Sequence, residues 1–100
     1  LQGDLKMDLE RYQCTWKDIQ VPKLTVTEFE ILALLLKRPG VVRTRDQIID
    51  LVYGEGFAIG DRIIDSHKKR IVKKFKEVDP EFSQLEAVYR IGYKWVPVAN

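Results

Sequence analysis

The sequence predicts an α+β domain in which short strands come first, three helices follow and a β-hairpin closes the order. Three observations predict it. Apolar and polar residues alternate near the N-terminus, two T-x-x-E/Q motifs each precede an apolar run at helical spacing, and the last segment is apolar and aromatic around a glycine. With 100 residues, 45% of them hydrophobic, there is material for one modest core, so residues 1–100 are expected to form a single domain.

The elements follow in chain order. Leu5, Met7 and Leu9 alternate with Lys6, Asp8 and Glu10; Cys14 and Trp16 share one face; Ile19 and Val21 alternate again before Pro22. Polar joints at 10–12 and 17–18 make these segments an antiparallel meander. Thr25-Val-Thr-Glu28 has capping-box spacing: the threonine oxygen accepts from the third helical amide and the glutamate reaches back. A first helix therefore carries Phe29, Leu32, Leu35 and Leu36 to a stop at Arg38-Pro-Gly40. Thr44-Arg-Asp-Gln47 repeats the device for a second helix, with Ile48, Ile49, Leu51 and Val52, that ends at Gly54. After a glycine-containing loop over 54–60, Asp61 is placed to cap a third helix reaching Lys76, about 24 Å long. Asp79-Pro80 ends it, and Leu85 to Val96 fits a hairpin with Gly92 in its turn.

Composition excludes several classes. The longest apolar run, Ile31 to Leu36, is far short of the roughly 20 residues that span a bilayer, and no basic-then-apolar leader is present, so a soluble protein without membrane partners is expected. One cysteine, Cys14, and one histidine, His67, provide neither an internal disulfide nor a Cys/His metal cluster; no metal and no cofactor are expected, in a reducing, cytoplasmic setting. The glycines of 54–60 lack a phosphate-loop signature, and Asp46 and Asp50 read as a solvated helix face. An enzyme is not expected. Cys14 reads as a small buried hydrophobe, and Trp16 and Trp95 read as core residues.

Charge is where the sequence is informative. The chain carries only +2 in total, yet seven cations against one anion fall between Arg62 and Lys76, a local +6 that leaves −4 for everything else. One element is thus suited to an anionic partner. Advancing 100° per residue from Ile64, Ile71 and Phe75 lie close to it, whereas Arg62, Ser66, Lys69, Arg70 and Lys73 fall on the opposite side, roughly between 140° and 240°. His67 lies on the edge of the apolar stripe, and Lys74 on the flank, where it offers a point charge. A basic ridge on a helix that follows two shorter helices can enter the roughly 12 Å major groove of B-DNA, where Arg reads guanine and Lys neutralises phosphate. A merely solvated lysine face is the bland alternative.

Taken together, Gly3-Asp-Leu-Lys-Met-Asp8, Leu24-Thr-Val-Thr-Glu-Phe29, Arg38-Pro-Gly40, Arg45, Asp61-Arg62, Ile64-Asp65 with His67, Lys73-Lys-Phe75 and Gly92-Tyr93 resemble the OmpR/PhoB-type winged-helix effector domains of bacterial two-component response regulators. Leu24 to Pro39, Asp65-Ser-His67 and Lys73-Lys-Phe75-Lys76 are most similar to the ChvI-like branch. The resemblance implies a winged helix-turn-helix with a four-stranded N-terminal antiparallel sheet, three helices and a C-terminal hairpin, the wing. It implies that Arg62, Ser66, Lys69, Arg70 and Lys73, with His67, face DNA from the third helix, that Thr44, Arg45 and Tyr53 touch phosphates, and that Arg90 contacts DNA from the wing. Loop 54–60, with Glu55, Phe57 and Ile59, matches the family segment that contacts RNA polymerase in some members. Double-stranded DNA, a receiver domain absent from this chain, and a second copy on DNA are the implied partners, in transcription regulation.

Three positions depart from the family pattern. Lys68 stands in the apolar stripe where the family has Ile or Val, Val72 replaces a cation, and Arg90 replaces the first glycine of the wing turn, beside Tyr89. These departures keep a second reading open: a winged helix used for protein interaction, with weakened DNA binding. Val72 is expected to pack over the core edge, and the Lys68 stem to lie along apolar surface with its ammonium reaching solvent or an acidic residue.

Overall fold

The computed structural model describes residues 4–54, 60 and 62–96. Its elements run β1 (Leu5–Asp8), β2 (Gln13–Trp16), β3 (Ile19–Gln20), α1 (Val26–Lys37), β4 (Arg43–Thr44), α2 (Arg45–Tyr53), α3 (Arg62–Val78), β5 (Leu85–Val88) and β6 (Gly92–Trp95).

The meander forms as the alternation predicts. β1 pairs antiparallel with β2, setting Leu5 opposite Trp16 and Met7 opposite Cys14, and β2 pairs with β3 across Lys17-Asp18. Both of these joint residues have positive φ, 52° and 65°, the backbone of a type I′ turn whose twist matches that of the flanking strands. Among the described residues this sheet has three strands rather than the four that the resemblance implies. The short β4, between α1 and α2, joins the C-terminal hairpin instead, in the order β4-β6-β5.

Gly92 is the reason that β4 can join. A Cβ at this position would lie 1.9 Å from the Arg43 carbonyl oxygen and 2.8 Å from the Thr44 Cα, so only glycine permits the two backbones to pair. Gly92 therefore opens β6 and is not the turn residue; Arg90 takes the left-handed position, φ 60°, and the Ile91 amide donates to the Val88 carbonyl at 2.9 Å. Gly92→Ala should separate β4 from β6 and destabilise the domain by about 2–3 kcal/mol, the cost of forcing a methyl into a filled site. A urea midpoint equal to that of the unsubstituted chain would contradict this.

Both capping boxes form. Thr25 Oγ1 accepts from the Glu28 amide at 3.1 Å and Glu28 Oε1 accepts from the Thr25 amide at 3.0 Å; Thr44 and Gln47 do the same at 3.1 and 2.9 Å. Each box satisfies two amides that the first helical turn leaves open. α1 stops at Arg38, and the Gly40 amide, at φ 82°, donates to the Trp95 carbonyl at 2.7 Å, tying the end of α1 to β6.

The core lies where α1 and α3 meet the two sheets. Trp16, Phe75, Phe82 and Trp95 form its aromatic centre, with Phe75 stacked on Phe82 at 4.6 Å and Trp16 edge-on to Trp95 at 5.9 Å. Trp16 and Trp95 are thus core residues, as the strand pattern predicts, and Phe82 joins them from beyond the end of α3. The Trp16 indole N–H donates to Asp79 Oδ2 at 2.9 Å, anchoring the end of α3 to β2. Cys14 is buried, and burial pushes its thiol up to about 11, as befits an inert hydrophobe. Leu9, Ile19 and Leu51 are exposed despite their place in apolar patterns.

Candidate nucleic-acid interface

α3 is strongly two-sided. Ile64, Ile71 and Phe75 are fully buried, whereas Arg62, Ser66, Lys69, Arg70 and Lys73 are all exposed. Three- and four-residue spacing along a 17-residue helix aligns these five side chains in one ridge, since such neighbours share a helix face. The one acidic residue in the first turn, Asp65, is engaged away from the ridge: Arg45 Nε donates to its Oδ1 at 2.9 Å and the Tyr93 hydroxyl donates to the same oxygen. What faces outward along the first three turns beside Ser66 is mainly cationic, and Glu77 is the exposed acid near the C-terminal end of the helix.

Other candidates are placed differently. His67 does not face the ridge: it is only 9% exposed, and its Nε2 hydrogen-bonds with the Tyr53 hydroxyl at 2.8 Å. One hundred degrees from Ser66 along the helix, its ring turns toward the end of α2 rather than outward, so the implied contact with DNA is corrected to a packing role. Tyr53 is half-buried, and its hydroxyl is engaged with the same histidine. Thr44 has its hydroxyl occupied as the cap of α2. Arg45 engages Asp65 through its Nε, and the guanidinium lies 5.3 Å from the centre of the Tyr93 ring. Arg90 sits at the exposed wing tip, 5.2 Å from the ring of Tyr89, which is 81% exposed. Glu55, Phe57 and Ile59, and the Asp61 cap, lie outside the described residues.

Lys74 requires the largest correction. Its ammonium is not a flank charge facing an anion outside the protein but lies 2.6 Å from Glu28 Oε1 and donates to the Lys23 carbonyl at 2.9 Å. Glu28 is 0% exposed. Burial pushes its carboxyl up, but the Lys74 hydrogen bond, the Thr25 amide and the Lys74 charge outweigh this and hold it below its ordinary value.

Val72 falls as expected, and Lys68 meets an aromatic partner that the helix pattern does not offer. Val72 is half-buried against the core. Lys68 is half-buried, its ammonium 5.9 Å from the centre of the Tyr93 ring and near enough to Asp65 to help lower that carboxyl. Lys68→Ile exchanges a half-buried cation–π contact for apolar packing, and the two offset each other, so thermal stability should change by less than about 1 kcal/mol. Val72→Arg should add one cation beside Lys68, Lys69, Lys73 and Lys76, which border the same shallow hollow. Its affinity for duplex DNA should rise, and the log–log salt slope should steepen by about 0.9; an unchanged slope would mean that this flank is not near phosphate.

His67 makes stability pH-dependent. Burial pushes its pKa below the ordinary 6.5, the charge of Arg70 lowers it further, and Glu28 opposes them. The unfolded chain then takes up a proton near 6.5 that the folded chain refuses until a lower pH, so stability falls as pH drops below about 6.5 and levels off below the folded value. Thermal melts between pH 7 and 5 should show this loss, and His67→Gln should reduce it. A melting temperature independent of pH in that window would contradict the buried neutral ring.

A helix-turn-helix pair followed by a hairpin, with an exposed cationic ridge along the third helix, defines the winged-helix class of domain. Residues 20–95 match the family Transcriptional regulatory protein, C terminal, and the chain belongs to it. It is 36% identical over 94 residues to the Transcriptional regulatory protein BaeR of Escherichia coli O6:H1, a match covering 94% of this chain and 39% of that protein. It is 33% identical over 92 residues to the Alkaline phosphatase synthesis transcriptional regulatory protein PhoP of Bacillus subtilis, covering 92% and 38%. The chain therefore spans about two-fifths of the length of these relatives. Among solved structures, the DNA binding domain of CpxR from E. coli superposes with a TM-score of 0.81 at 26% identity, over 99% of this chain and 97% of that one. The AdeR DNA binding domain, solved in complex with an intercistronic region, shares the fold at TM-score 0.82 and 24% identity, over 98% and 99%. The family is one of transcriptional regulators, not enzymes. Likeness to the ChvI-like branch rests on the residues quoted above alone. Among the described residues, no helix is long and apolar enough to cross a membrane.

Proposed function

We propose that this domain binds double-stranded DNA sequence-specifically, inserting α3 into the major groove, and that it is the effector part of a bacterial two-component response regulator that controls transcription. The observation that carries the reading is the α3 ridge: five exposed polar side chains, four of them cationic, on the face opposite a fully buried stripe. An α-helix fits the groove, Arg offers a two-donor fork to guanine, and Lys neutralises phosphate. Arg70 is assigned to a base edge, with Arg62, Ser66, Lys69 and Lys73 divided between base edges and phosphates. Arg90 reaches the adjoining backbone or minor groove from the wing, while Arg45 and the first-turn amides of α2 that the Thr44 cap leaves open contact phosphate. Names such as "DNA-binding response regulator MtrA" among the relatives support the reading.

The remaining partners complete it: a receiver domain in the full-length regulator, RNA polymerase at loop 54–60, and a second copy on DNA, all in the cytoplasm. One recognition helix covers only a few base pairs, so two copies should occupy half-sites about one helical turn apart. Selection of bound duplexes from a random pool, followed by footprinting, tests this. Enrichment of a repeated motif is expected; protection of a strictly single site counts against pairing, and no enrichment with a flat salt response favours the protein-interaction reading.

A further inference from the structure

We infer that Asp65 is a positioning residue for DNA recognition, holding Arg45 of α2 and Tyr93 of β6 against the recognition helix so that the guanidinium faces phosphate and the wing keeps one angle to α3. This rests on the DNA-binding reading above. One carboxylate oxygen, Asp65 Oδ1, accepts both from Arg45 Nε at 2.9 Å and from the Tyr93 hydroxyl. Three elements distant in sequence thus meet at a single atom. Arg45 and Lys68 also lie over the Tyr93 ring, at 5.3 and 5.9 Å from its centre, so two cations meet the ring whose hydroxyl donates to the anion.

The consequences differ for the two donors. Arg45 engages Asp65 through its Nε, and its side chain remains 23% exposed, so the guanidinium keeps an open edge in a side chain already ordered by the carboxylate. A long cation fixed before binding loses less rotamer freedom when it meets a phosphate. Tyr93 lies opposite Ala87 of β5 and Arg43 of β4, one pair from the turn of the wing and at its junction with β4, so securing it secures the hairpin. Tyr93, then Arg45, hold the Asp65 carboxyl below its ordinary value against some desolvation, which keeps it an anion at neutral pH.

Asp65 is a negative charge on a surface assigned to phosphate, and electrostatics alone says that neutralising it strengthens binding to every duplex. A positioning role says that Asp65→Asn weakens binding to the selected duplex, by roughly tenfold, as expected for loss of a charge-assisted hydrogen bond. Tyr93→Phe, which removes one hydroxyl and no charge, should also weaken selected-duplex binding several-fold while leaving the salt slope unchanged. In the free protein, in a Cys14→Ala background, spin labels on Lys76→Cys and Tyr89→Cys report the wing-to-helix distance; Tyr93→Phe and Asp65→Asn should broaden it. Tighter binding of Asp65→Asn to both duplexes, or an unchanged label distance in Tyr93→Phe, overturns the inference. If the unsubstituted domain binds no duplex, the DNA reading fails and the label distances alone decide whether the clasp sets the wing angle.

Discussion

Lys74→Ala is expected to destabilise the domain by about 3–5 kcal/mol, more than any other single substitution on α3 outside its core, because it leaves a fully buried carboxylate without its cation. Glu28 would then have to be protonated or hydrated by local opening at the start of α1. The double substitution Glu28→Gln, Lys74→Met should recover much of the loss, since the amide retains hydrogen-bonding groups and no charge is left buried. The sign with pH follows from the lowered Glu28 carboxyl. Its contribution is present above the unfolded value of 4.5 and is lost as pH falls from there through the lower folded value. Chemical denaturation of the single and double variants checks this. If Lys74 instead served as a flank charge toward phosphate, Lys74→Ala would leave the denaturation midpoint in place and weaken all duplexes alike.

Replacing Arg62, Lys69, Arg70 and Lys73 together by Ala is expected to have the largest effect on binding without unfolding the protein, because all four are exposed. Affinity for a selected duplex should fall to the non-specific range, about 10⁻⁴ M or weaker, and the log–log salt slope should flatten by about 0.9 for each phosphate contact removed. Within the set, Arg70→Ala should cost roughly 1–3 kcal/mol at one base position, and Lys73→Ala should weaken specific and random duplexes equally. Gel shifts over a range of salt concentrations measure both. Equal losses on the two duplexes for Arg70→Ala would remove Arg70 from the base edge and rotate the assigned register.

What was legible in the sequence is what local physics determines. The two capping boxes set the starts of α1 and α2 because their partners are three residues apart, and the apolar period of α3 separated Ile64, Ile71 and Phe75 from Arg62, Ser66, Lys69, Arg70 and Lys73. What was hidden depends on distant parts of the chain. Glu28 reads as the third residue of a capping box and is that, but its burial beside Lys74 joins positions far apart in sequence. His67 sits at the stripe's edge, where a rotation of a few tens of degrees separates ridge from core, and the end of α2 decides in favour of core. Gly92 carries a turn signal, yet the close approach of Arg43, which no local pattern announces, is what requires it. A negative charge inside a basic helix suggested nothing, although Asp65 gathers three elements.

The most direct test of the central claim, that α3 is the DNA-reading element, is a backbone-amide NMR titration of the domain with its selected duplex. The account predicts the largest shifts along Arg62, Ser66, Lys69, Arg70 and Lys73, with a second group at Tyr89 to Ile91 of the wing and near Arg45. Shifts confined to the β1-β2-β3 sheet or the outer face of α1, with the α3 ridge unchanged at saturation, would contradict it.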